Sequence, residues 1–166
     1  MVVCQNEDAF LLNDKTTIIY ENEENQFNAE FLQSYLKNIF KKDLQIHVEA
    51  QGRVSETTTS NSINLNIVDA SRCKELNLAN DNEAYLLSVS VDRIDIYALD
   101  AAGIFYGIQT LIQMMPNDIY SENANKIAEV DIPCLNINDN PRFKYRGLML
   151  DCSRTFFDVD YIKHLL

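Results

Sequence analysis

Apolar and polar residues alternate with a period of two in several stretches of this chain and follow a helical period in two others. TTIIYE (16–21) is a short β-branched strand. LQIHVE (44–49) sets Leu44, Ile46 and Val48 inward and Gln45, His47 and Glu49 outward, and INLNIV (63–68) alternates likewise. A polar, Thr- and Ser-rich loop (51–62) separates these two. EAYLLSVSVDRIDIYALD (83–100) reads as a hairpin. Tyr85, Leu87, Val89 and Val91 line its first strand, Asp92-Arg93 makes a tight turn, and Ile94 and Ile96 line the second, which predicts one buried and one exposed face. AEVDIPCLNI (128–137) is a strand-like connector punctuated by Pro133, with Pro141 following.

The helical patterns are equally distinct. In NQFNAEFLQSYLKNIFKK, Phe27, Phe31, Tyr35 and Ile39 fall at i, i+4, i+8 and i+12, with Leu32, Leu36 and Phe40 beside them. Acids Glu21 to Glu24 precede that helix and Lys41-Lys42 close it, matching the helix dipole at both ends. Asp100 is placed to cap a second helix, AAGIFYGIQTLIQMM (101–115), with Ile104, Phe105, Ile108, Leu111, Ile112 and Met115 inward and Pro116 ending it. Gly103 and Gly107 inside it each cost roughly 1 kcal/mol against alanine. They lie too far into the helix for a phosphate loop. Gln109 and Gln113 and the short length exclude a membrane dimer motif. Close packing of helix backbone on its neighbour remains. Strands of this kind with two covering helices predict an α+β, two-layer domain over residues 1–140, with a mainly antiparallel sheet and two helices on one face.

From Pro141 the pattern changes. Leu148-Met149-Leu150 is continuously apolar, as in a strand buried on both faces of a parallel sheet. FFDVDYIKHLL then starts a helix, with Asp158 as its cap and Tyr161, Ile162, Leu165 and Leu166 as its apolar face. One strand and one helix make the first βα unit of a further α/β domain, residues 141–166, expected to be cut short. Arg146 precedes the apolar triplet and Asp151 follows it, on opposite faces of an ideal strand; Arg154 lies in the loop beyond. Buried charges are normally paired, so Asp151 and Arg154 are expected to pair with each other or to tie down loop backbone. An ion pair would also account for Arg146.

Charge and composition narrow the chemistry. The net charge of −11 argues against nucleic acid and against an anionic membrane surface, and leaves neutral sugars, peptides and small molecules open. No apolar run reaches the roughly 18–20 residues that a bilayer span requires. MVVCQNEDAF lacks the basic start and apolar stretch of a signal peptide. Cys4, Cys73, Cys134 and Cys152 are scattered, and His47 and His164 are isolated, so no metal site or cofactor is implied and buried free thiols are expected. His47 reads as a solvated strand histidine.

Two segments carry a family resemblance. EAYLLSVSVDRIDIYALDAAGIFYGIQTLIQMMP resembles the hairpin and helix of the non-catalytic N-terminal domain of glycoside hydrolase family 20, the β-N-acetylhexosaminidases, through Gly103, Gly107, Thr110, Leu111 and Gln113. PRFKYRGLMLDCSRTFF resembles the start of that family's (β/α)8 catalytic barrel, through Arg146, Gly147, Asp151, Arg154 and Phe156. The resemblance implies that residues 141–166 are the truncated first unit of a TIM barrel. It implies a parent enzyme that removes terminal non-reducing N-acetylglucosamine or N-acetylgalactosamine from glycans with retention, the substrate's own acetamido oxygen acting as nucleophile, unlike the two-carboxylate scheme. The family's Asp-Glu pair and tryptophan cage have no counterpart here, for the chain contains neither that pair in a barrel context nor any Trp. No catalytic residue is therefore carried over. By resemblance Arg146 contacts ring hydroxyls of the sugar, a role its fork of donors suits. Thr155 departs from the histidine often found there. The implied partners are such glycans and the chain's own barrel, which this domain would support while remaining inactive alone; an exported or lysosomal location is implied too. The alternative is a free-standing carbohydrate- or protein-binding module with aromatics aligned on the outer sheet face, whereas Phe27, Phe31, Tyr35 and Phe105 are expected inside. The tail, parted from its barrel, is expected to be poorly ordered or repacked on the domain.

Overall fold

A computed structural model describes residues 8–48, 60–79, 81–120 and 127–165. Cys4, Glu7, Glu49, most of the 51–62 loop and Leu166 lie outside them. The strands are β1 (Ala9–Asn13), β2 (Thr17–Tyr20), β3 (Gln45–Val48), β4 (Ser62–Ile67), β5 (Tyr85–Val89), β6 (Arg93–Ala98), β7 (Glu129–Pro133) and β8 (Leu135–Asp139). The helices are α1 (Gln26–Phe40), α2 (Ala70–Glu75), α3 (Ala101–Gln113) and α4 (Val159–Leu165). Six strands form one sheet in the order β3-β2-β4-β6-β5-β8, and β1 pairs with β7 in a second sheet of two.

The architecture is α+β, but the large sheet is mixed rather than mainly antiparallel. β2 runs parallel to both β3 and β4, and β4 parallel to β6, while β5 is antiparallel to β6 and β8. The physical reason is connectivity. A parallel pair requires a crossover, and α1 supplies one between β2 and β3; only Ser90–Arg93 makes a short return. That turn centres one residue earlier than expected, because Ser90 bonds Arg93 through backbone and hydroxyl alike. Val91 is consequently exposed in the turn rather than inward on the strand. The strand-like connector resolves into two strands, split at Cys134, that join different sheets.

Register aligns the core in rows. Ile18, Ile63, Ile94, Val89 and Leu135 are successive partners across β2, β4, β6, β5 and β8, and Tyr20, Leu65, Ile96, Leu87 and Ile137 form the next row. All are buried. α1 and α3 cover this face side by side, Phe31 of one meeting Phe105 of the other at 5.5 Å between ring centroids. The inner line of α1 is Ala29, Leu32, Leu36 and Ile39, not the expected Phe27-to-Ile39 series. Steps of four advance about 40° around a helix of 3.6 residues per turn, so Phe27 and Ile39 differ by a third of a turn. Phe27 falls on the solvent side, 69% exposed. At the sheet edge, Val48 is likewise exposed and Ile46 half-buried, where inward positions were expected.

Two features join the layers without a sequence signal. Asn28 donates to Asn25 Oδ1 and to the Ala101 carbonyl (2.9 Å), while Asn25 donates to the Leu65 carbonyl, tying the starts of α1 and α3 to β4. α2, an unexpected third helix capped by Asp69, packs Cys73 with Leu78 and Ala84, against Leu86 and Val68. Leu86 alternates with the core-facing Tyr85 and Leu87 and so belongs to the sheet's opposite face.

Beyond Asn140 the expected βα unit is present only as its helix. Residues 148–150 join neither sheet, since a strand exists through its ladder and no described strand offers them one. Leu148, Met149 and Phe156 are exposed rather than repacked on the sheet. α4 does form, and Asp158 caps it as expected by accepting from Tyr161 N at 2.7 Å.

Candidate functional site

The local sequence sets α3 unusually close to the sheet. Asp100 Oδ1 accepts from the backbone of Ala102 (3.0 Å) and Gly103 (3.1 Å), fixing where the helix begins. A Cβ on Gly103 would stand 2.5 Å from the Ala84 carbonyl and 2.7 Å from Ala98 Cβ, and one on Gly107 2.5 Å from Ile96 Cγ2. The glycines are therefore close-packing positions, as expected. With α3 held so near, Thr110 Oγ1 reaches the Tyr85 hydroxyl at 2.6 Å. Beside that contact opens a cleft of about 250 Å³, lined by Tyr85, Gln109, Thr110, Gln113, Asp139 and Arg146 among others.

Arg146 does not project freely. Its Nη1 and Nη2 donate to Glu83 Oε2 (3.1 Å) and Oε1 (2.9 Å) in a bidentate pair. Nη2 also donates to the Tyr106 hydroxyl (2.9 Å), Nη1 to the Phe143 carbonyl (2.6 Å), and the guanidinium carbon lies 5.3 Å from the Tyr106 ring centroid. Tyr106 in turn donates to Glu83 Oε1 at 3.3 Å. The Arg146 hydrogen bonds, then its charge, hold the Glu83 carboxyl below its ordinary value, and the Tyr106 bond adds to this. Glu83 reciprocally raises Arg146. Burial pushes the Tyr85 hydroxyl up, against the lowering effect of Thr110. Each group is thus fixed in its ordinary charge state at neutral pH, an arrangement for binding and positioning rather than for proton transfer.

The other residues singled out in the tail lie apart from this cluster. Asp151 does not pair with Arg154. It ties down its own loop by accepting from Ser153 N (2.8 Å) and Ser153 Oγ (2.6 Å), and the Ser153 hydroxyl bond is the main cause of its lowered carboxyl pKa. Arg154 and Thr155 are exposed. Cys73 and Cys134 are buried thiols pushed up by burial, but Cys152 is exposed, contrary to expectation. His47 is exposed on its strand. Glu83 and Tyr106 are the residues that sequence reasoning missed. Both lie inside the segment carrying the resemblance, yet 63 and 40 positions from Arg146, and no spacing connects them.

Comparison with known proteins places the chain in a family. The family model for glycosyl hydrolase family 20, domain 2, matches residues 2–140. The chain belongs to glycosyl hydrolase family 20. A beta-hexosaminidase of Porphyromonas gingivalis is 33% identical over 163 residues, 98% of this family 20 chain and 19% of the relative. An N,N'-diacetylchitobiase of Vibrio harveyi is 40% identical over 79 residues, 48% of this chain and 8% of that one. Among solved structures, the family 20 β-N-acetylhexosaminidase of Streptomyces coelicolor A3(2) superposes with a TM-score of 0.78 at 22% identity, covering 99% of this chain and 30% of its own, a likeness of fold. The chain spans a fifth or less of the length of these curated relatives.

Proposed function

We propose that the chain is the N-terminal part of a β-N-acetylhexosaminidase, which hydrolyses terminal non-reducing N-acetylglucosamine or N-acetylgalactosamine residues with retention by substrate assistance. In this reading residues 1–140 are a non-catalytic domain that packs against and supports a catalytic barrel, residues 141–166 begin that barrel, and the chain alone is inactive. The observation that carries it is the family 20 match over residues 2–140. A second supports the barrel as partner: Leu148, Met149, Phe156, Val159 and Leu165 present an exposed apolar series directly after the matched segment. The outer sheet face gives little to the binding-module alternative, because Asn64, Arg93 and Asp95 bond one another there in place of an aligned aromatic row. Arg146 is proposed to contact ring hydroxyls of the sugar in the intact enzyme.

The experiment is an assay with a chromogenic N-acetylglucosaminide on the 166-residue chain and on a longer chain of family length. No turnover by the former and turnover by the latter are expected; appreciable hydrolysis by the 166-residue chain overturns the reading. In the longer chain, Arg146→Ala lowers kcat/KM by roughly ten- to a hundredfold, the loss expected for a bidentate charged hydrogen-bonding group.

A further inference from the structure

Arg146 has four Nη hydrogens and one Nε hydrogen. Each Nη makes two of the contacts described: Nη1 to Glu83 Oε2 and the Phe143 carbonyl, Nη2 to Glu83 Oε1 and the Tyr106 hydroxyl. The terminal donors are therefore fully engaged, by the Phe143 carbonyl of the tail itself and by groups from two separate places in the sheet domain. Glu83 stands just before β5, and Tyr106 stands on α3, where the glycine-dependent approach of that helix to the sheet brings the two within 3.3 Å. Their mutual hydrogen bond orients both acceptors toward one point, and the Tyr106 ring supplies a π face beside the guanidinium.

We propose that Glu83 and Tyr106 form a guanidinium-receiving site on the sheet domain, and that they are positioning residues for Arg146. The site fixes where the segment 141–147 leaves the sheet, and it determines whether the Nη donors of Arg146 are available. With all four Nη hydrogens taken, two vicinal sugar hydroxyls can be bound through the Nη atoms only at the expense of contacts made here. Arg146 reaches a sugar through its Nη atoms only by giving up part of this site. The receiving site stands on contacts within this chain; its consequence for sugar binding rests on the proposed hexosaminidase reading.

Trypsin tests it on the 166-residue chain, because cleavage after an arginine requires that side chain to enter the protease's own pocket. Arg154, which makes none of these contacts, is the internal standard. Slower cleavage after Arg146 than after Arg154 is expected in the native chain. Glu83→Gln raises the Arg146-to-Arg154 ratio roughly two- to fivefold, as for loss of a well-formed exposed pair, and Tyr106→Phe raises it less. Arg146→Lys keeps a trypsin site while leaving the sheet domain untouched. Normalised to cleavage of the same bonds in the denatured chain, it raises the ratio as well, because a single ammonium cannot span both carboxylate oxygens. The nitrogen-15 NMR signals of the Arg146 Nη groups give a second readout: resolved by slowed rotation in the native chain, averaged in Glu83→Gln. Unchanged ratios in both Glu83→Gln and Arg146→Lys, or Nη signals already averaged in the native chain, overturn the proposal. These outcomes are separate from the glycosidase assay, which reads activity alone.

Discussion

The sheet domain and the segment beyond Asn140 treat similar residues in opposite ways. Leu87, Ile96 and Leu111 are wholly buried, whereas Leu148 is 68% and Met149 91% exposed. Nothing in side-chain chemistry separates the two groups. In the domain those three residues sit on a strand with partners on both sides or on a helix held against the sheet; in the tail the backbone of 148–150 has no partner among the described strands. Burial follows from neighbours, and an apolar run by itself specifies only that neighbours are required. Among the described residues the hydrogen bonds that link the two regions run from Arg146 to Glu83 and Tyr106.

The sharpest way to break this comparison is truncation on either side. Leu87→Ala should cost about 2–5 kcal/mol in chemical denaturation, while Met149→Ala should change stability by no more than about 0.5 kcal/mol. An equal loss from both would show that the tail packs on the domain. Next comes the helix-to-sheet approach. Gly103→Ala meets backbone at Ala84, which cannot move aside cheaply, so an overpacking cost of about 1–3 kcal/mol should outweigh the roughly 1 kcal/mol gained in helix propensity. Gly107→Ala, which meets the Ile96 side chain, should cost less in the same measurement. Equivalent caps then give a smaller contrast. Asp100→Ala should lower the unfolding midpoint by the equivalent of about 0.5–2 kcal/mol, whereas Asp158→Ala should reduce helical signal from α4 and leave the main transition in place.

The smallest effect is in pH. The Glu83 carboxyl is lowered by Arg146, so its contribution is fully present above the ordinary carboxyl value of 4.5 and is lost as pH falls through the lowered folded value. Asp14, lowered chiefly by its hydrogen bond from Lys42, and Asp151 add losses of the same sign. Thermal unfolding from pH 7 to pH 3 should therefore show an acid-side decline that Glu83→Gln makes shallower. Asp139 and Tyr85 line the adjoining cleft, and both are unchanged in that variant, so the difference isolates Glu83.

The α3 helix was readable almost residue by residue, because capping, apolar spacing and a terminating proline all agree there. The hairpin was readable except at its turn, where a serine hydroxyl shifted the centre onto Val91. Strand direction was less accessible. Alternation shows which residues are inside but carries no information on whether a partner runs parallel, and α1 as a crossover was read as a covering helix only. Phe27 was misplaced because a repeat of four drifts around a helix. At the site, Arg146 stands out as a charge beside an apolar strand, but its partners do not, since no spacing or motif ties Glu83 and Tyr106 to it. Only the close seating of α3 brings them together, and the glycines that permit it announce tight packing without naming what is packed.

The pairing of β1 with β7 places Ala9 opposite Pro133, and β8 completes the large sheet only at Asp139. During synthesis, therefore, β1 must wait for β7, with most of the sheet domain made between them. At about 5–20 residues per second, Phe10 and Leu12 spend on the order of ten seconds as an apolar strand with no sheet to join. The vulnerability of the chain during synthesis to sticking to its neighbours thus lies in β1, in residues that are among the most deeply buried once synthesis has passed Asp139.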